Sequence, residues 1–315
     1  MTSTVVDLTT RVGSLTLPNP VMTASGTSGH GAELARYVDL TRLGAVVVKS
    51  LNADGWDGNP APRVHETAAG MINSVGLQGP GVRAWLADEL PELLALGVRR
   101  VVCSVWGRTV DEYRAAADAL KKAPGEVIAV EVNLSCPNLD GGRHLFAHDV
   151  DATTAVLGAV GATLRDGAHP RPMWAKLSPN TDRLADVAGA ARQAGAEAVT
   201  LVNTMLGLAI DVETRRPRLG AGGGGVSGPA IHPMAVRAVY DCRRAHPDLP
   251  IIGVGGVASA ADAVEFLLAG ASAIQVGTAS FADPRAPEQV LDGLAEWGAK
   301  HGIMRVDELI GGAHE

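Results

Sequence analysis

Short apolar runs recur along the whole chain, and amphipathic segments fill the intervals between them. Each run is five or six residues long, consists mostly of apolar residues, many of them β-branched, and is bounded by turn residues. Such runs are typical of parallel strands that are buried on both faces. The eight predicted strands span residues 20–25, 45–50, 100–104, 128–133, 173–177, 198–203, 250–254 and 273–277.

The intervening segments have apolar residues spaced at about 3.6 positions, which predicts helices. Eight strands, each followed by a helix, predict an α/β protein of the (β/α)8 TIM-barrel type. A doubly wound open sheet is the alternative, and eight unbroken repeats favour the barrel. The predicted helices span residues 32–43, 81–96, 109–120, 152–164, 182–194, 233–245, 259–269 and 287–299.

The residues left over predict additions to the barrel within a single domain, 1–315, because no low-complexity linker divides the chain. An N-terminal extension carries a candidate hairpin at 12–18, and long insertions follow the second and sixth strands. The glycine-rich stretch 220–225 is too short for a domain linker and is interpreted as a mobile loop.

Composition and charge narrow the classes of function. The chain has 315 residues, 46% of them hydrophobic and 19% charged, which excludes a disordered protein. Lys and Arg number 27 against 34 Asp and Glu, so the net charge of −7 argues against nucleic-acid or anionic-membrane partners. Three cysteines indicate a reducing compartment and cannot alone hold an iron–sulfur cluster. No signal peptide or membrane span is recognised, so we expect a cytoplasmic protein.

Polar or glycine residues stand at the end of every predicted strand, where barrels place their active sites. Two lysines at one barrel mouth predict an anionic ligand, since lysine is seldom buried without a partner. Glycine turns after the last two strands predict a phosphate cradle, which comprises Gly255, Gly256, Gly277 and Thr278. The other strand ends carry Ser25, Lys49 with Ser50, Ser104, Asn133, Lys176, and Asn203 with Thr204.

The segment 133–138 reads NLSCPN and follows the fourth strand directly. It places Cys136 on a loop at the barrel mouth, where polar residues and a proline surround it. Cys103 lies within a predicted strand and Cys242 within a predicted helix, so both are interpreted as buried structural thiols. Cys136 is therefore the candidate for chemistry.

These motifs together resemble the dihydroorotate dehydrogenase family over essentially the whole chain. The resemblance is closest to class 1B, the catalytic subunits of NAD-linked two-subunit enzymes. Six sequence motifs and two glycine turns occur in the family's order at predicted strand ends or loops. They are 58–63 (GNPAPR), 73–81 (NSVGLQGPG), 133–138 (NLSCPN), 176–180 (KLSPN), 203–211 (NTMLGLAID), 225–231 (GVSGPAI) and the two glycine turns.

The resemblance implies an FMN-binding barrel that oxidises (S)-dihydroorotate to orotate in pyrimidine synthesis, with no metal. It implies that Cys136 takes a proton from C5 of the substrate while hydride leaves C6 for the flavin. The implied substrate residues are Lys49, Asn73, Ser74, Val75, Gly76, Leu77, Asn133, Asn138, Asn203 and Thr204. The implied FMN residues are Ser25, Lys49, Ser50, Ser104, Asn133, Lys176, Val202, Gly228, Gly255, Gly256, Gly277 and Thr278.

Two positions depart from the family's usual pattern. Ser104 stands where asparagine usually ends the third strand, which puts one flavin contact in doubt, and Gly79 stands where asparagine is common. Neither change falls on the base or the substrate residues. The segment 139–148, with Gly141 and Gly142, is a candidate lid over the site.

Class 1B implies a catalytic homodimer that joins a partner subunit carrying FAD and an iron–sulfur cluster, as a heterotetramer. A stand-alone enzyme that uses fumarate, a quinone or oxygen is an alternative, as is a related flavin reductase of dihydropyrimidines.

Two further classes compete. A flavin-free barrel, such as a sugar-phosphate isomerase or a lyase, needs a Glu or His base at a strand end. Glu131 is the one acidic residue in the strands and lies two residues before an end. A non-catalytic scaffold is disfavoured by Cys136 and the two lysines.

Overall fold

Eight parallel strands form a closed barrel in a computed structural model that describes residues 5–135 and 145–314. Each strand pairs with the next one along the chain, and a parallel bridge between Met22 and Ala45 joins the first strand to the second. The barrel prediction is confirmed and the open sheet is excluded. The strands are Val21–Thr23, Val46–Val47, Val101–Val105, Val127–Asn133, Met173–Lys176, Ala198–Leu201, Ile251–Val254 and Ala273–Val276.

Where the first two strands meet, a side chain makes hydrogen bonds to the backbone in place of regular backbone–backbone pairing. The hydroxyl of Thr23 accepts a hydrogen bond from Val47 N at 2.8 Å and donates to Val47 O at 3.1 Å. This exchange links the short second strand to the first and so completes the barrel.

Helices cover the outside of the barrel, mostly within two residues of the predicted bounds. Thr109, Asp149 and Ser259 cap three of them by accepting hydrogen bonds from backbone N–H groups of the first turn. The α-helices are Val82–Ala87, Glu89–Ala95, Val110–Ala119, Val150–Arg165, Leu184–Gln193, His232–Ala245, Ala260–Leu268, Ala279–Ala282 and Ala286–His301.

Two helix predictions were wrong in extent. Instead of a helix over 32–43 there is one 3-10 turn, Glu33–Arg36, and Asp39 begins a separate turn three residues later, in which its side chain accepts a hydrogen bond from Thr41 N. The predicted helix 81–96 is broken at Asp88, since Pro91 has no N–H to donate and its ring clashes with the carbonyl four residues earlier.

The barrel interior changes from apolar to polar toward the carboxyl ends of the strands. Side chains such as Met22, Trp174 and Ile252 fill the lower part, and the N-terminal hairpin Thr10–Val12 and Leu15–Leu17 packs Val12 and Leu17 against them. A fully buried polar layer lies above, formed by Ser104, Glu131, Thr200 and Gln275. This layer is the floor on which a site at the barrel mouth rests.

The two predicted insertions meet above the mouth and form one four-stranded antiparallel sheet, called here the roof. Its order is Met205–Gly207, Gly224–Ser227, Gly70–Asn73 and Val64–Thr67. The interpretation of 220–225 as a mobile loop was wrong for Gly224 and Gly225, which pair in the roof. A Cβ at Gly225 would overlap the Thr204 side chain, so glycine here serves close packing. Among the described residues, no helix combines the length and hydropathy that crossing a bilayer requires.

Candidate active site

A cavity of about 350 Å³ lies between the carboxyl ends of the barrel strands and the roof. Seven of the eight strand ends contribute to its wall. Of the predicted residues that the structure describes, all but one line it: Ser25, Lys49, Ser50, Asn73, Ser74, Val75, Gly76, Leu77, Asn133, Lys176, Val202, Asn203, Thr204, Gly228, Gly255, Gly256, Gly277 and Thr278.

Backbone register brings polar side chains of the fourth, fifth and sixth strands to one height. Asn133 pairs directly with Lys176 in the parallel ladder, and Asn203 N donates to Leu177 O at 2.9 Å. The peptide bond between Leu201 and Val202 is cis. The amide side chains of Asn133 and Asn203 meet at this height, where Asn203 Nδ2 donates to Asn133 Oδ1 at 3.0 Å.

The two lysines of the cavity have different surroundings. Lys176 is 5% exposed, donates to Ser25 Oγ at 3.0 Å and lies 3.9 Å from a carboxylate oxygen of Glu131. Lys49 is half-buried, and its ammonium makes no hydrogen bond or ion pair with the described residues. Burial lowers the pKa of Lys49, and the positive charge of Lys176 lowers it further. The cavity thus holds one cation without a counter-ion in the described chain.

Glycines allow a tight concave wall beside the seventh and eighth strands. Gly228, Gly255 and Gly256 all have positive φ values, of 95°, 137° and 74°. A Cβ at Gly256 would lie 2.7 Å from His232 Cβ and 2.8 Å from Gly228 O, so a side chain there has no room. Thr278 Oγ1 bonds Ser227 Oγ at 2.8 Å and joins this wall to the roof. Such a wall suits an anion that approaches backbone N–H groups closely.

The roof supplies a second set of polar groups. Asn73 Nδ2 donates to Gly225 O at 3.2 Å, which ties the two insertions together. Gly76 and Leu77 both adopt positive φ, and a Cβ at Gly76 would lie 2.6 Å from the Asn59 side chain. The segment from Asn73 to Leu77 therefore turns sharply at the cavity wall and presents backbone as well as side chains.

Ser104 is the described site prediction that does not reach the cavity. It is fully buried in the polar layer, where its hydroxyl bonds Ser50 Oγ at 2.9 Å and donates to Glu131 Oε1 at 3.2 Å. A serine is shorter than the asparagine that usually ends this strand in the family. Its hydroxyl therefore contacts Ser50 and Glu131 and does not reach into the cavity.

Cys136 and Asn138 lie outside the described residues, as do residues 139–144 of the candidate lid. The flanking residues Ser135 and Leu145 both line the cavity. Phe146–His148, which with Leu145 are the described part of the candidate lid, form a 3-10 turn against the barrel, with Phe146 fully buried.

The other two thiols are buried, as predicted. Burial raises the pKa of the Cys242 thiol to about 12 and raises that of Cys103 still further. Both are thiols without access to a ligand in the cavity.

Sequence reasoning missed several cavity residues that belong to motifs already recognised. Asn180 and Ser178 lie in KLSPN, and Ser227 lies in GVSGPAI. Asn180 donates to Thr204 O at 3.0 Å and accepts from Leu206 N at 2.9 Å, so it holds the roof to the barrel. Their place in these motifs was a usable signal. Apolar residues such as Val64, Met71 and Phe281 gave none, because only the folded chain brings them to the wall.

No metal site was expected, and the described residues contain one group of possible ligands, His30, Glu33 and Glu89. The Glu33 carboxylate already accepts hydrogen bonds from the backbone of His30 and Gly31, at 3.0 and 2.8 Å. These hydrogen bonds stabilise the turn that follows Gly29. Gly29 O in turn accepts a hydrogen bond from the backbone N–H of Lys49.

Comparison with known proteins gives one consistent result. The sequence model of the family described as "Dihydroorotate dehydrogenase" matches residues 7–297. A Pelobacter propionicus protein named dihydroorotate dehydrogenase B (NAD(+)), catalytic subunit, is 45% identical over 97% of this chain and 98% of its own length. A protein of the same name from Desulforudis audaxviator is 48% identical over 96% of both chains. A Solibacter usitatus protein named putative dihydroorotate dehydrogenase A (fumarate) is 46% identical over 96% of this chain and 97% of its own.

Proposed function

The chain belongs to the dihydroorotate dehydrogenase family of oxidoreductases acting on CH–CH groups, and from this premise we propose that it oxidises (S)-dihydroorotate to orotate. The observation that carries the proposal is that Lys49 and the amides of Asn73, Asn133 and Asn203 line one cavity. Orotate is a planar ring with amide-like edges and one carboxylate. Asparagines match such edges with donors and acceptors, and the ammonium of Lys49, which has no partner among the described residues, matches the carboxylate.

FMN fits the remaining part of the same cavity. The glycine wall at Gly228, Gly255, Gly256 and Gly277 leaves the space that Cβ atoms would fill, and this is what a phosphate against backbone N–H groups requires. We assign FMN to that wall together with Ser25, Lys49, Ser50, Asn133, Lys176, Val202 and Thr278. When bound, FMN supplies the hydride acceptor for C6 of the substrate.

The protein's own residues then have separate tasks. Cys136 follows Ser135 of the cavity wall directly in the chain and takes the proton from C5 of dihydroorotate as the C5–H bond breaks. Asn133 and Asn203 hold the ring edge, and Lys49 holds the carboxylate. Lys176 contributes a positive charge that favours the more negative, reduced form of the cofactor. The roof excludes water from the reacting atoms.

Assembly and the electron acceptor follow from the same family membership. Relatives named as catalytic subunits favour a partner subunit, so we propose one domain that forms a homodimer and joins a subunit carrying FAD and an iron–sulfur cluster. The relative named for fumarate keeps a stand-alone enzyme as the second candidate. Cytoplasmic location and a role in pyrimidine synthesis complete the proposal.

Anaerobic addition of dihydroorotate to the purified chain tests the reaction. Bleaching of a yellow protein, with one orotate formed for each flavin, is the expected result. A yellow protein that bleaches with a different dihydropyrimidine and not with dihydroorotate would overturn the substrate. A colourless protein that takes up no added FMN would overturn the cofactor.

The acceptor is tested by mixing the reduced chain with fumarate, with a quinone, and with oxygen, and separately by adding the partner subunit with NAD⁺. Rapid reoxidation only with the partner and NAD⁺ is expected. Fast turnover with fumarate by the chain alone would favour the stand-alone enzyme.

A further inference from the structure

A continuous series of hydrogen bonds runs from the cavity into the polar layer beneath it. Asn203 Nδ2 donates to Asn133 Oδ1, and Asn133 Nδ2 donates to Ser50 Oγ at 3.2 Å. Ser50 Oγ lies 2.9 Å from Ser104 Oγ, and Ser104 Oγ donates to Glu131 Oε1 at 3.2 Å. The series therefore ends on a carboxylate that is completely buried.

The carboxylate fixes the direction of every bond in this series. A hydroxyl has one hydrogen, and that of Ser104 is used on Glu131. Ser50 must then donate to Ser104, which leaves only its lone pairs for the Asn133 side chain. The amide of Asn133 consequently turns its NH2 group to Ser50. Its Oδ1 faces the backbone N–H of Ser135 at 3.2 Å, which requires the same orientation.

Glu131 also lies against a cavity lysine. Its Oε1 is 3.9 Å from Lys176 Nζ, while Oε2 accepts from Thr200 Oγ1 at 3.1 Å and from Gln275 Nε2 at 2.8 Å. Side chains alternate along a strand, so Glu131 and Asn133 point to the same interior and differ by one layer. Hydroxyl, amide and ammonium groups of Ser104, Thr200, Gln275 and Lys176 thus all face this carboxylate.

We propose that Glu131 is a positioning residue for the active site, acting on Asn133 through Ser104 and Ser50 and on Lys176 directly. It touches neither substrate nor cofactor. It sets the donor and acceptor pattern that Asn133 and Ser50 present to the cavity, and it offsets the positive charge of Lys176. The serine at 104, where the family usually has asparagine, is the link that makes this connection in the present chain. The inference rests on the proposed function, which supplies the ligands for its test.

Two variants separate the two actions. Ser104→Ala removes the link to Ser50 and leaves Glu131 beside Lys176, so orotate affinity should fall roughly three- to tenfold with an unchanged flavin midpoint potential. Glu131→Gln removes the charge beside Lys176. It should weaken orotate binding similarly and shift the flavin equilibrium about tenfold toward the reduced form, which corresponds to about +30 mV for a two-electron couple.

Thr200→Val is the matched control. Thr200 is a fully buried hydroxyl that donates to the same carboxylate, but it has no bond toward Asn133. The Thr200→Val variant should lower the melting temperature about as much as Ser104→Ala does, while its orotate affinity stays within twofold of the wild-type value. Equal losses of orotate affinity in both variants would reduce Glu131 to a purely structural group.

The measurements are orotate titration calorimetry, potentiometry of the FMN-loaded protein and thermal melting. Folded Glu131→Gln protein with wild-type orotate affinity and wild-type potential would overturn the inference. If Glu131→Gln does not fold, Glu131→Asp and Ser104→Ala are measured instead, and wild-type values in both would again overturn it. A wild-type chain that binds neither FMN nor orotate would instead refute the proposed function, so the two failures are distinguishable.

Discussion

Asn203 Nδ2 donates to Asn133 Oδ1 over 3.0 Å and so joins the ends of the sixth and fourth barrel strands across the fifth. Both asparagines belong to strand-end motifs that lie 70 residues apart in the chain. Because each amide holds the other, the pair is arranged before any ligand enters the cavity. Such preorganisation reduces the conformational entropy that binding would otherwise lose.

Replacement of Lys49 by alanine should weaken orotate binding by about 1.5–3 kcal/mol, or roughly 10- to 150-fold, because a charged hydrogen bond is lost. Lys121→Ala removes a surface lysine paired with Asp118 and serves as the control. Orotate affinity is measured by calorimetry at neutral pH. Equal affinities of the Lys49 variant and the wild type would remove Lys49 from the substrate site.

Orotate binding should weaken at alkaline pH. The lowered pKa of Lys49 means that its ammonium loses a proton below the usual lysine value of about 10.4, and a neutral amine cannot hold the carboxylate. Affinity should be flat below that pKa and fall up to tenfold per pH unit above it. In the ligand-free protein the sign is opposite. The folded state binds fewer protons than the unfolded state between the two pKa values, so Lys49 makes stability rise with pH there.

Calorimetry in buffers of different ionisation enthalpy checks this pH dependence, because orotate should take up a proton with it in the alkaline range. The Lys49→Ala variant should show neither the uptake nor the decline. Proton release on binding would contradict the assignment.

Cys136→Ala should retain FMN and bind orotate within a few-fold of wild type, while dihydroorotate oxidation falls by roughly 10²–10⁴-fold, since a general base is removed. In the wild type the rate should rise toward alkaline pH, because an ordinary thiol ionises near pH 8.5. Stopped-flow bleaching of the flavin measures the step. A variant rate near that of wild type at every pH would exclude Cys136 as the base.

Alkylation should modify one of the three cysteines much faster than the others. Burial raises the pKa of Cys242 to about 12 and that of Cys103 higher still, so neither supplies thiolate at neutral pH. Peptide mass spectrometry after iodoacetamide should locate the label on Cys136, and saturating orotate should protect it. Labelling of Cys103 at a comparable rate would show that the barrel opens in solution.

Gly256→Ala should greatly weaken FMN binding, because a Cβ would meet His232 and Gly228 and the positive φ adds about 1–2 kcal/mol of backbone strain. Gly125→Ala is the matched control, since a Cβ there has nothing within 4 Å. Flavin content after dialysis and FMN titration of the apoprotein are the measurements. Full flavin content in the Gly256 variant would move the phosphate away from this wall.

The site residues at the strand ends could be predicted from sequence because the carboxyl ends of all strands in such a barrel meet at the same face, where the active site lies. Lys176 and Asn133 were found by that rule alone. The roof could not be predicted in the same way. Gly224 and Gly225 carry no side chain that indicates pairing, and Asn73, which pairs with Gly225, is 152 residues away. Local sequence patterns do not record pairings between distant segments. They also do not show how deep a side chain lies in the barrel, so Ser104 was predicted at the cavity although it lies in the polar layer beneath it.

The prediction of a helix over 32–43 was wrong for a related reason. The apolar spacing of this segment suits a helix. However, the carboxylate of Glu33 accepts hydrogen bonds from the backbone of His30 and Gly31, and the Asp39 side chain accepts one from Thr41 N. Side chains that compete for backbone N–H groups decide such short segments, and hydrophobic spacing does not record them.

The pairing of Asn73 with Gly225 also constrains the order in which the molecule acquires its site. The two insertions are separated by 152 positions, and four barrel strands lie between them, so the roof forms only after six of the eight barrel strands have been synthesised. A nascent chain that ends before residue 225 lacks the partner of Asn73 in the roof and also lacks the last two barrel strands, Ile251–Val254 and Ala273–Val276. The site is therefore a late product of folding, and retention of cofactor and substrate reports that the whole chain has reached its native topology.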